Sequence, residues 1–156
     1  MRPPEVVPFS SHLAPHFEAL NREWIEQFFA IEQADLDVFR DPCGRIVAPG
    51  GQIFFVLNDR IVVGTCAVVR HANDVYELAK MAVTRRAQGL GLGNLLITTA
   101  IEFARQAGAQ KLILLTNSRL EPALHLYEKY GFKRVPIKSA QEYSRADVEM
   151  ELLLSA

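Results

Sequence analysis

The order of hydrophobic and polar positions predicts a short strand and then a long helix at the start of the chain. Val6 to Phe9 is a short apolar stretch, and Ser10 or Ser11 then offers a helix cap. The apolar residues beyond the cap recur every three or four positions and so share one helical face; they are Leu13, Phe17, Leu20, Trp24 and Phe28. From Ile31 to Gly51 the pattern loosens, which predicts an acidic, irregular segment.

Runs of β-branched and aromatic residues in the middle of the chain predict three consecutive antiparallel strands. The first two cover Gln52 to Leu57 and Ile61 to Val69, and the three residues from Asn58 to Arg60 form a hairpin loop between them. A polar turn from His71 to Asp74 precedes the third strand, Val75 to Val83. These strands are expected to form a meander.

The second half of the chain predicts a strand–helix–strand crossover. A glycine-rich turn begins a helix that ends at Gly108, and Lys111 to Thr116 is a continuous apolar strand. A crossover of this kind pairs its strands in parallel. A shorter helix from Pro122 to Tyr130 precedes two last strands, Phe132 to Val135 and Val148 to Leu154. The element order predicts an α+β fold with a mixed central sheet.

Length, charge and hydropathy indicate a single domain that neither spans a membrane nor binds nucleic acid over a broad surface. A chain of 156 residues with a formal net charge of −1 suits one domain, residues 1–156, with no broad basic field for nucleic acid or an anionic membrane. No apolar run approaches the ~20 residues that span a bilayer, and the first residues lack the apolar region of a secretory signal. We therefore expect a cytoplasmic protein.

The cysteines and histidines predict neither a disulfide nor a metal site. Cys43 and Cys66 are far apart and fit no C-x-x-C pattern, so we expect two free thiols. The four histidines lack metal-ligand spacing with Cys or Glu and are expected to be structural or at the surface; they are His12, His16, His71 and His125.

The segment from Met81 to Leu96 contains the chemically informative motif, a strand followed by a turn of alternating glycines and a helix. Glycine lets the main chain approach a ligand, and the free N–H groups at a helix start favour an anion such as phosphate. A dinucleotide fingerprint fails, because the sixth position counted from Gly89 is Asn94. A P-loop fails because the turn contains no lysine.

What remains is a Q-x-x-G-x-G pattern at Gln88, Gly91 and Gly93, preceded by Met-Ala-Val at the end of the strand. About thirty residues later, Ala123 to Phe132 follows the pattern A-x-x-L-Y-x-x-x-G-F. Both blocks resemble the GNAT superfamily of N-acyltransferases. The resemblance implies a three-layer α/β/α fold, with a mostly antiparallel sheet and a splayed parallel strand pair flanked by helices.

The resemblance also implies the residues that would bind acetyl-CoA as co-substrate. The turn would hold its pyrophosphate through Gln88, Gly89, Leu90, Gly91, Leu92, Gly93 and Asn94. A main-chain N–H near Met81 or Val83 would donate to the thioester carbonyl. Many family members have asparagine where this chain has Leu120, so Asn117 is a candidate for the missing contact with the pantetheine arm.

Two side chains are candidates for the proton transfers of N-acetylation. Tyr127 matches the family tyrosine that is proposed to donate to the coenzyme sulfur, and a packed, non-catalytic tyrosine is the alternative. Glu77 is a candidate base for the amine, and a merely solvated carboxylate is the alternative. Glu77 and Met81 share odd-numbered parity on one strand, so both should face the same side unless a bulge intervenes.

The resulting hypothesis is an acetyl-CoA-dependent N-acetyltransferase that acts on a small-molecule amine, an amino acid or a peptide. A non-catalytic acyl-CoA sensor or interaction module is the alternative, and a homodimer is left open. The acceptor pocket would be walled by the first helix and the segment after it, which contain Glu23, Trp24, Phe28, Phe29, Glu32, Asp35 and Asp37.

Overall fold

The computed structural model describes residues 2–138 and 143–154, and their strands form one seven-stranded sheet in the order β1-β2-β3-β4-β5-β7-β6. The strands are β1 (Glu5–Pro8), β2 (Gln52–Asn58), β3 (Ile61–Arg70), β4 (Val75–Val83), β5 (Lys111–Thr116), β6 (Lys133–Val135) and β7 (Val148–Leu153). The helices are α1 (Ala14–Phe28), α2 (Gln33–Arg40), α3 (Leu92–Gln106) and α4 (Glu121–Lys129). All neighbouring strands are antiparallel except β4 and β5, which are parallel. The expected mixed sheet is confirmed.

Helices pack on both faces of this sheet, because alternate residues of each strand point to opposite sides. On the α1 face, Phe17 and Phe39 of α1 and α2 join Phe55 of β2 in one buried cluster. On the α3 face, Leu96 and Leu124 of α3 and α4 belong to a second cluster with residues of β2 to β5 and β7. The three-layer arrangement is therefore confirmed. Over the residues described, no helix combines the length and apolar character that crossing a membrane requires.

The segment from residue 31 to 51 differs from its prediction as an irregular region. It contains α2 and a turn of π-helix, Cys43–Val47. A capping box begins α2: the Glu32 side chain accepts from the backbone of Asp35, and the Asp35 carboxylate accepts from the Glu32 N–H at 2.9 Å. The usual sequence signature has Ser or Thr at the cap. Because this chain has glutamate at the cap, the start of α2 could not be predicted from that signature.

A bulge in β4 separates it from β5. The two strands pair only from Val75 opposite Lys111 to Glu77 opposite Ile113. Between Ala79 and Ala82, β4 places two residues opposite a single residue of β3, and the first of them, Lys80, has a φ of +53°. An extra residue bends its strand and disrupts pairing. A gap therefore opens between β4 and β5 beyond Glu77, as the resemblance implied.

Candidate functional site

The turn before α3 exposes a row of main-chain N–H groups. Gly89 and Gly91 have φ values of +84° and +78°, the left-handed region that glycine adopts without strain. In the part of the chain that the structure describes, the N–H groups of residues 89–91 donate to no acceptor. Gly91 caps α3 without a side chain, and the first N–H groups of that helix likewise have no partner within the described ranges. We call residues 88–94 the amide cradle, and its N–H groups fit an anionic ligand.

Side chains around the amide cradle hold it in place. Gln88 donates from Nε2 to the carbonyl of Val83 at 3.2 Å. The Oδ1 atom of Asn94 accepts from Lys129 Nζ at 2.9 Å and from the Tyr130 hydroxyl at 2.7 Å, which joins the start of α3 to the end of α4. A Cβ at Gly93 would lie 2.9 Å from Leu126, so glycine there allows close packing of the two helices. The side chains of Gln88 and Asn94 thus have partners within the chain, and the coenzyme contacts predicted for these two residues stay a prediction.

The ring of Tyr127 is buried on the α3 face, and its hydroxyl has no hydrogen-bond partner among the described residues. The ring packs edge-on against Phe132, with 6.0 Å between their centroids. No buried side-chain nitrogen or oxygen in the described ranges is unsatisfied, so the hydroxyl reaches accessible space. Burial, with a smaller effect from Cys66, raises the pKa of Tyr127 to about 12. The hydroxyl is therefore protonated at neutral pH and free to donate.

The bulge places Met81 and Glu77 on opposite faces of the sheet. The two side chains were expected on the same face unless a bulge intervened, and the bulge does intervene. Met81 and Val83 pack against the buried cluster of the α3 face, which includes Tyr127. Glu77 pairs across strands with Val69, whose side chain packs on the α1 face. One extra residue shifts the alternation of a strand by one position. Glu77 and Tyr127 thus lie on opposite faces of the sheet.

Glu77 has a histidine partner that sequence reasoning did not predict. His71 Nε2 lies 2.7 Å from Glu77 Oε1, although His71 was expected to be only structural or at the surface. The side chain of His71 is 45% exposed and that of Glu77 is 19% exposed. The pair therefore connects the α1 face of the gap with solvent.

A buried ion cluster lies beside Glu77 and was missed from the sequence. The Asp35 carboxylate is fully buried and accepts from Lys80 Nζ at 2.7 Å and from both terminal nitrogens of Arg145, at 2.9 and 2.6 Å. Burial acts to raise the pKa of Asp35, but these hydrogen bonds outweigh it and lower the pKa to about 2. Burial also lowers the pKa of Lys80, which Asp35 partly offsets. The one sequence signal is a lysine within the otherwise apolar end of β4.

Two other predicted contacts have partners within the chain. The Asn117 side chain donates to the carbonyl of Arg145 at 2.7 Å and accepts from the N–H of Arg119 at 2.8 Å. It therefore holds the loop after β5, and its contact with the pantetheine arm stays a prediction. Glu23 accepts from the Thr84 hydroxyl and from the Arg85 N–H, both at 2.9 Å, so α1 is joined to the segment before the amide cradle.

Aromatic residues that were predicted for the acceptor wall lie together at the end of α1. Trp24 and Phe29 pack edge-to-face with centroids 6.4 Å apart, and the Arg119 guanidinium lies 5.1 Å from the Phe29 ring. Arg145 lies 5.6 Å from the Trp24 ring, so this wall meets the buried ion cluster. Phe28 is 40% exposed. Within the described ranges, no group of three or more His, Cys, Asp or Glu side chains could hold a metal ion.

Comparison with known proteins agrees with this architecture. The model of the acetyltransferase (GNAT) family matches residues 15–132, and the chain belongs to that family. It is 30% identical over 108 residues to an aminoalkylphosphonate N-acetyltransferase of Salmonella typhimurium. The aligned region covers 65% of this chain and 70% of the relative. It is 32% identical over 89 residues to a mycothiol acetyltransferase of Thermomonospora curvata, over 57% of this chain. The chain spans 30% of the length of that relative.

Solved structures of acetyltransferases share the fold. An acetyltransferase of the GNAT family from Staphylococcus aureus superposes with a TM-score of 0.89 at 17% identity, over 98% of this chain and all of the other. The PaiA N-acetyltransferase from Thermoplasma acidophilum, solved with coenzyme A, gives a TM-score of 0.77 at 15% identity, over 97% and 99% of the two chains. At these identities the two structures support the fold.

Proposed function

We propose that this chain is an N-acetyltransferase that moves the acetyl group of acetyl-CoA to a primary amine by direct attack in a ternary complex. The observation that carries the proposal is the gap between β4 and β5. Glu77 lies on the α1 face at the last β4–β5 pair, and the protonated Tyr127 belongs to the buried cluster on the α3 face, from which we propose it reaches the gap. The amide cradle, residues 88–94, follows the end of β4 in the chain. Donor and acceptor would therefore enter from opposite faces and meet in the gap.

The α3 face has the groups that acetyl-CoA requires. N–H groups of the amide cradle would bind the pyrophosphate, because an anion at a helix start is favoured by unpaired donors and by the helix dipole. The β4 edge that faces the gap has no partner strand beyond Glu77 in the described structure, so it can pair with the pantetheine arm. A main-chain N–H near Met81 or Val83 would donate to the thioester oxygen as negative charge develops there.

The proton transfers follow from the two sides of the gap. Glu77 would accept the proton that the amine must lose, directly or through water, and His71 would hold the carboxylate and lead toward solvent. The nitrogen then bonds to the acetyl carbon while the carbon–sulfur bond breaks. Tyr127, whose hydroxyl is protonated at neutral pH, would donate to the departing sulfur. After the attack the nitrogen loses its second proton to solvent and solvent returns a proton to Tyr127, so the products are an amide and coenzyme A.

The acceptor class that we propose is a small-molecule amine, an amino acid or a peptide. Acidic and aromatic groups on the α1 face suit a cationic amine: Glu77 pairs with an exposed histidine, and Trp24 and Phe29 form an aromatic wall. The relative named for aminoalkylphosphonate supports a small amine among these classes.

A panel of amines with acetyl-CoA tests the proposed reaction. We expect at least one amine to give coenzyme A thiol release that matches the acetylated product one for one, measured with a thiol reagent and mass spectrometry. Tight coenzyme binding with no thiol release across small amines, amino acids and peptides would contradict the proposal. That result would favour an acyl-CoA sensor.

The Glu77→Gln variant tests the base. We expect kcat at neutral pH to fall about 100-fold, the range of general-base catalysis, and to recover as the pH rises toward the amine pKa of about 10. The free amine then no longer needs a base. The measurement is kcat from about pH 6.5 to about pH 9.5. Glu102→Gln is the control, because Glu102 lies on the exposed side of α3 and, among the described residues, accepts only from Gln106 Nε2, at 3.0 Å. An unchanged pH profile in Glu77→Gln would remove Glu77 from this role.

A further inference from the structure

The buried ion cluster connects the two strands that border the gap. We propose that Asp35 is a positioning residue that sets the separation of β4 and β5 and so aligns the main-chain donors with the thioester of acetyl-CoA. This inference rests on the proposed function. It assigns a role to three residues, Asp35, Lys80 and Arg145, none of which needs to touch a substrate.

The connection to β4 runs through Lys80. This residue occupies the bulge with a φ of +53°, a conformation that residues with side chains rarely adopt. Such a backbone persists where surrounding interactions hold it. The Lys80 side chain is 6% exposed, and its ammonium lies 2.7 Å from Asp35 Oδ1. The ion pair therefore fixes the bulge of β4, three residues beyond Glu77, the last residue of β4 that pairs with β5.

The connection to β5 runs through Arg145. Its two terminal nitrogens donate to the two Asp35 oxygens, a paired geometry that fixes direction as well as distance. The main-chain carbonyl of Arg145 accepts from Asn117, the residue that follows β5. Next to it, the carboxylate of Asp147 accepts from the N–H of Ser118 at 2.8 Å. One carboxylate thus joins the β4 bulge to the end of β5.

The chemistry of the cluster favours a positioning role over simple stability. Replacing a buried ion pair by well-packed apolar groups is often neutral or stabilising, so stability alone does not require charges here. Charged hydrogen bonds impose direction, which apolar packing does not. Asp35 is itself fixed from a third side, because its Oδ2 atom accepts from the Glu32 N–H in the capping box of α2. The carboxylate has a defined place relative to both strands.

Direct binding of the acceptor by these cations is disfavoured by their burial. The side chains of Lys80 and Arg145 are 6% and 10% exposed, and the Tyr143 ring covers both, 4.0 Å from the ammonium and 4.5 Å from the guanidinium. Their charged groups point at Asp35. The geometry therefore fits a role in which Lys80 and Arg145 fix the positions of the β4 and β5 backbones and do not bind the acceptor.

The test compares Asp35→Asn and Lys80→Met with the wild-type protein. We expect both variants to bind coenzyme A with wild-type stoichiometry in isothermal titration, because the amide cradle is not altered. We expect kcat to fall about 100-fold, the effect of a small misplacement of reacting groups. The carbonyl ¹³C signal of bound acetyl-CoA labelled at that carbon should move toward its value in free acetyl-CoA, since the donor is no longer aligned.

Controls separate this role from a folding defect and from failure of the proposed function. Glu151→Gln removes an ion pair between β5 and β7, Lys111 Nζ to Glu151 Oε2 at 3.3 Å, and should change none of the three readouts. If Asp35→Asn does not fold, the Lys80→Met variant alone tests the inference. We expect Lys80→Met to fold, because the Asp35 carboxylate keeps Arg145 as its partner. Wild-type kcat and carbonyl signal in a folded Lys80→Met variant would overturn the inference. A wild-type protein that neither shifts the carbonyl signal nor acetylates an amine would instead remove the proposed function, and this inference with it.

Discussion

Tyr127→Phe is expected to lower kcat about 100-fold at neutral pH while leaving the Kd of coenzyme A unchanged. The ring is buried among apolar residues that phenylalanine would fill equally well, and the hydroxyl has no hydrogen bond in the described structure to lose. The substitution should therefore slow only the step in which the sulfur leaves, and so lower kcat without changing the Kd of coenzyme A. Steady-state kinetics with an active amine and titration of coenzyme A measure the two quantities.

Tyr76→Phe is the matched control for this substitution. Tyr76 lies in the same buried cluster, is 6% exposed where Tyr127 is 8% exposed, and likewise has no hydroxyl partner in the described ranges. Both variants should keep the wild-type melting temperature, and only Tyr127→Phe should lose turnover. Equal kcat in the two variants would show that Tyr127 is a packed residue, the alternative raised by its place on a helix face.

The strands could be predicted because their signals are local. The turn between β2 and β3 illustrates this: Asp59 and Arg60 have φ values of +51° and +68°, a two-residue hairpin turn flanked by runs of β-branched residues. The glycines before α3 are equally local, since alternating glycines at a helix start indicate an anion site without reference to distant residues. Elements of this kind depend on neighbours within a few positions.

The arrangement of the gap depends on distant residues and could not be predicted in the same way. Asp35 meets Lys80, 45 positions away, and Arg145, 110 positions away, so no sequence window contains the cluster. The bulge falls on a lysine, whereas glycine is the residue that usually marks a positive φ. Parity along β4 therefore placed Glu77 and Met81 together, and the bulge separates them. The two-sided site that we propose follows from this separation.

Gly91→Glu is expected to weaken coenzyme A binding at least about 100-fold and to abolish turnover. Glutamate would have to adopt the left-handed conformation at φ +78°, and it would place a carboxylate beside the N–H groups that we propose bind the pyrophosphate. The nearest atom to a Cβ there is Asn94 Nδ2 at 3.9 Å, so the side chain itself has room. The loss should therefore come from charge in the cradle, and titration with coenzyme A measures it.

Gly108→Glu separates this effect from the strain of the backbone. Gly108 follows the other end of α3 with a φ of +82° and no atom within 4 Å of a Cβ, so glutamate meets a similar conformational penalty far from the amide cradle. Gly91→Ala adds the strain at residue 91 without the charge. We expect coenzyme A affinity close to wild type in Gly108→Glu, a modest loss in Gly91→Ala, and a large loss only in Gly91→Glu. If Gly91→Glu bound coenzyme A as tightly as Gly108→Glu does, the pyrophosphate would have to bind outside residues 88–94, and the proposed path of the thioester into the gap would fail with it.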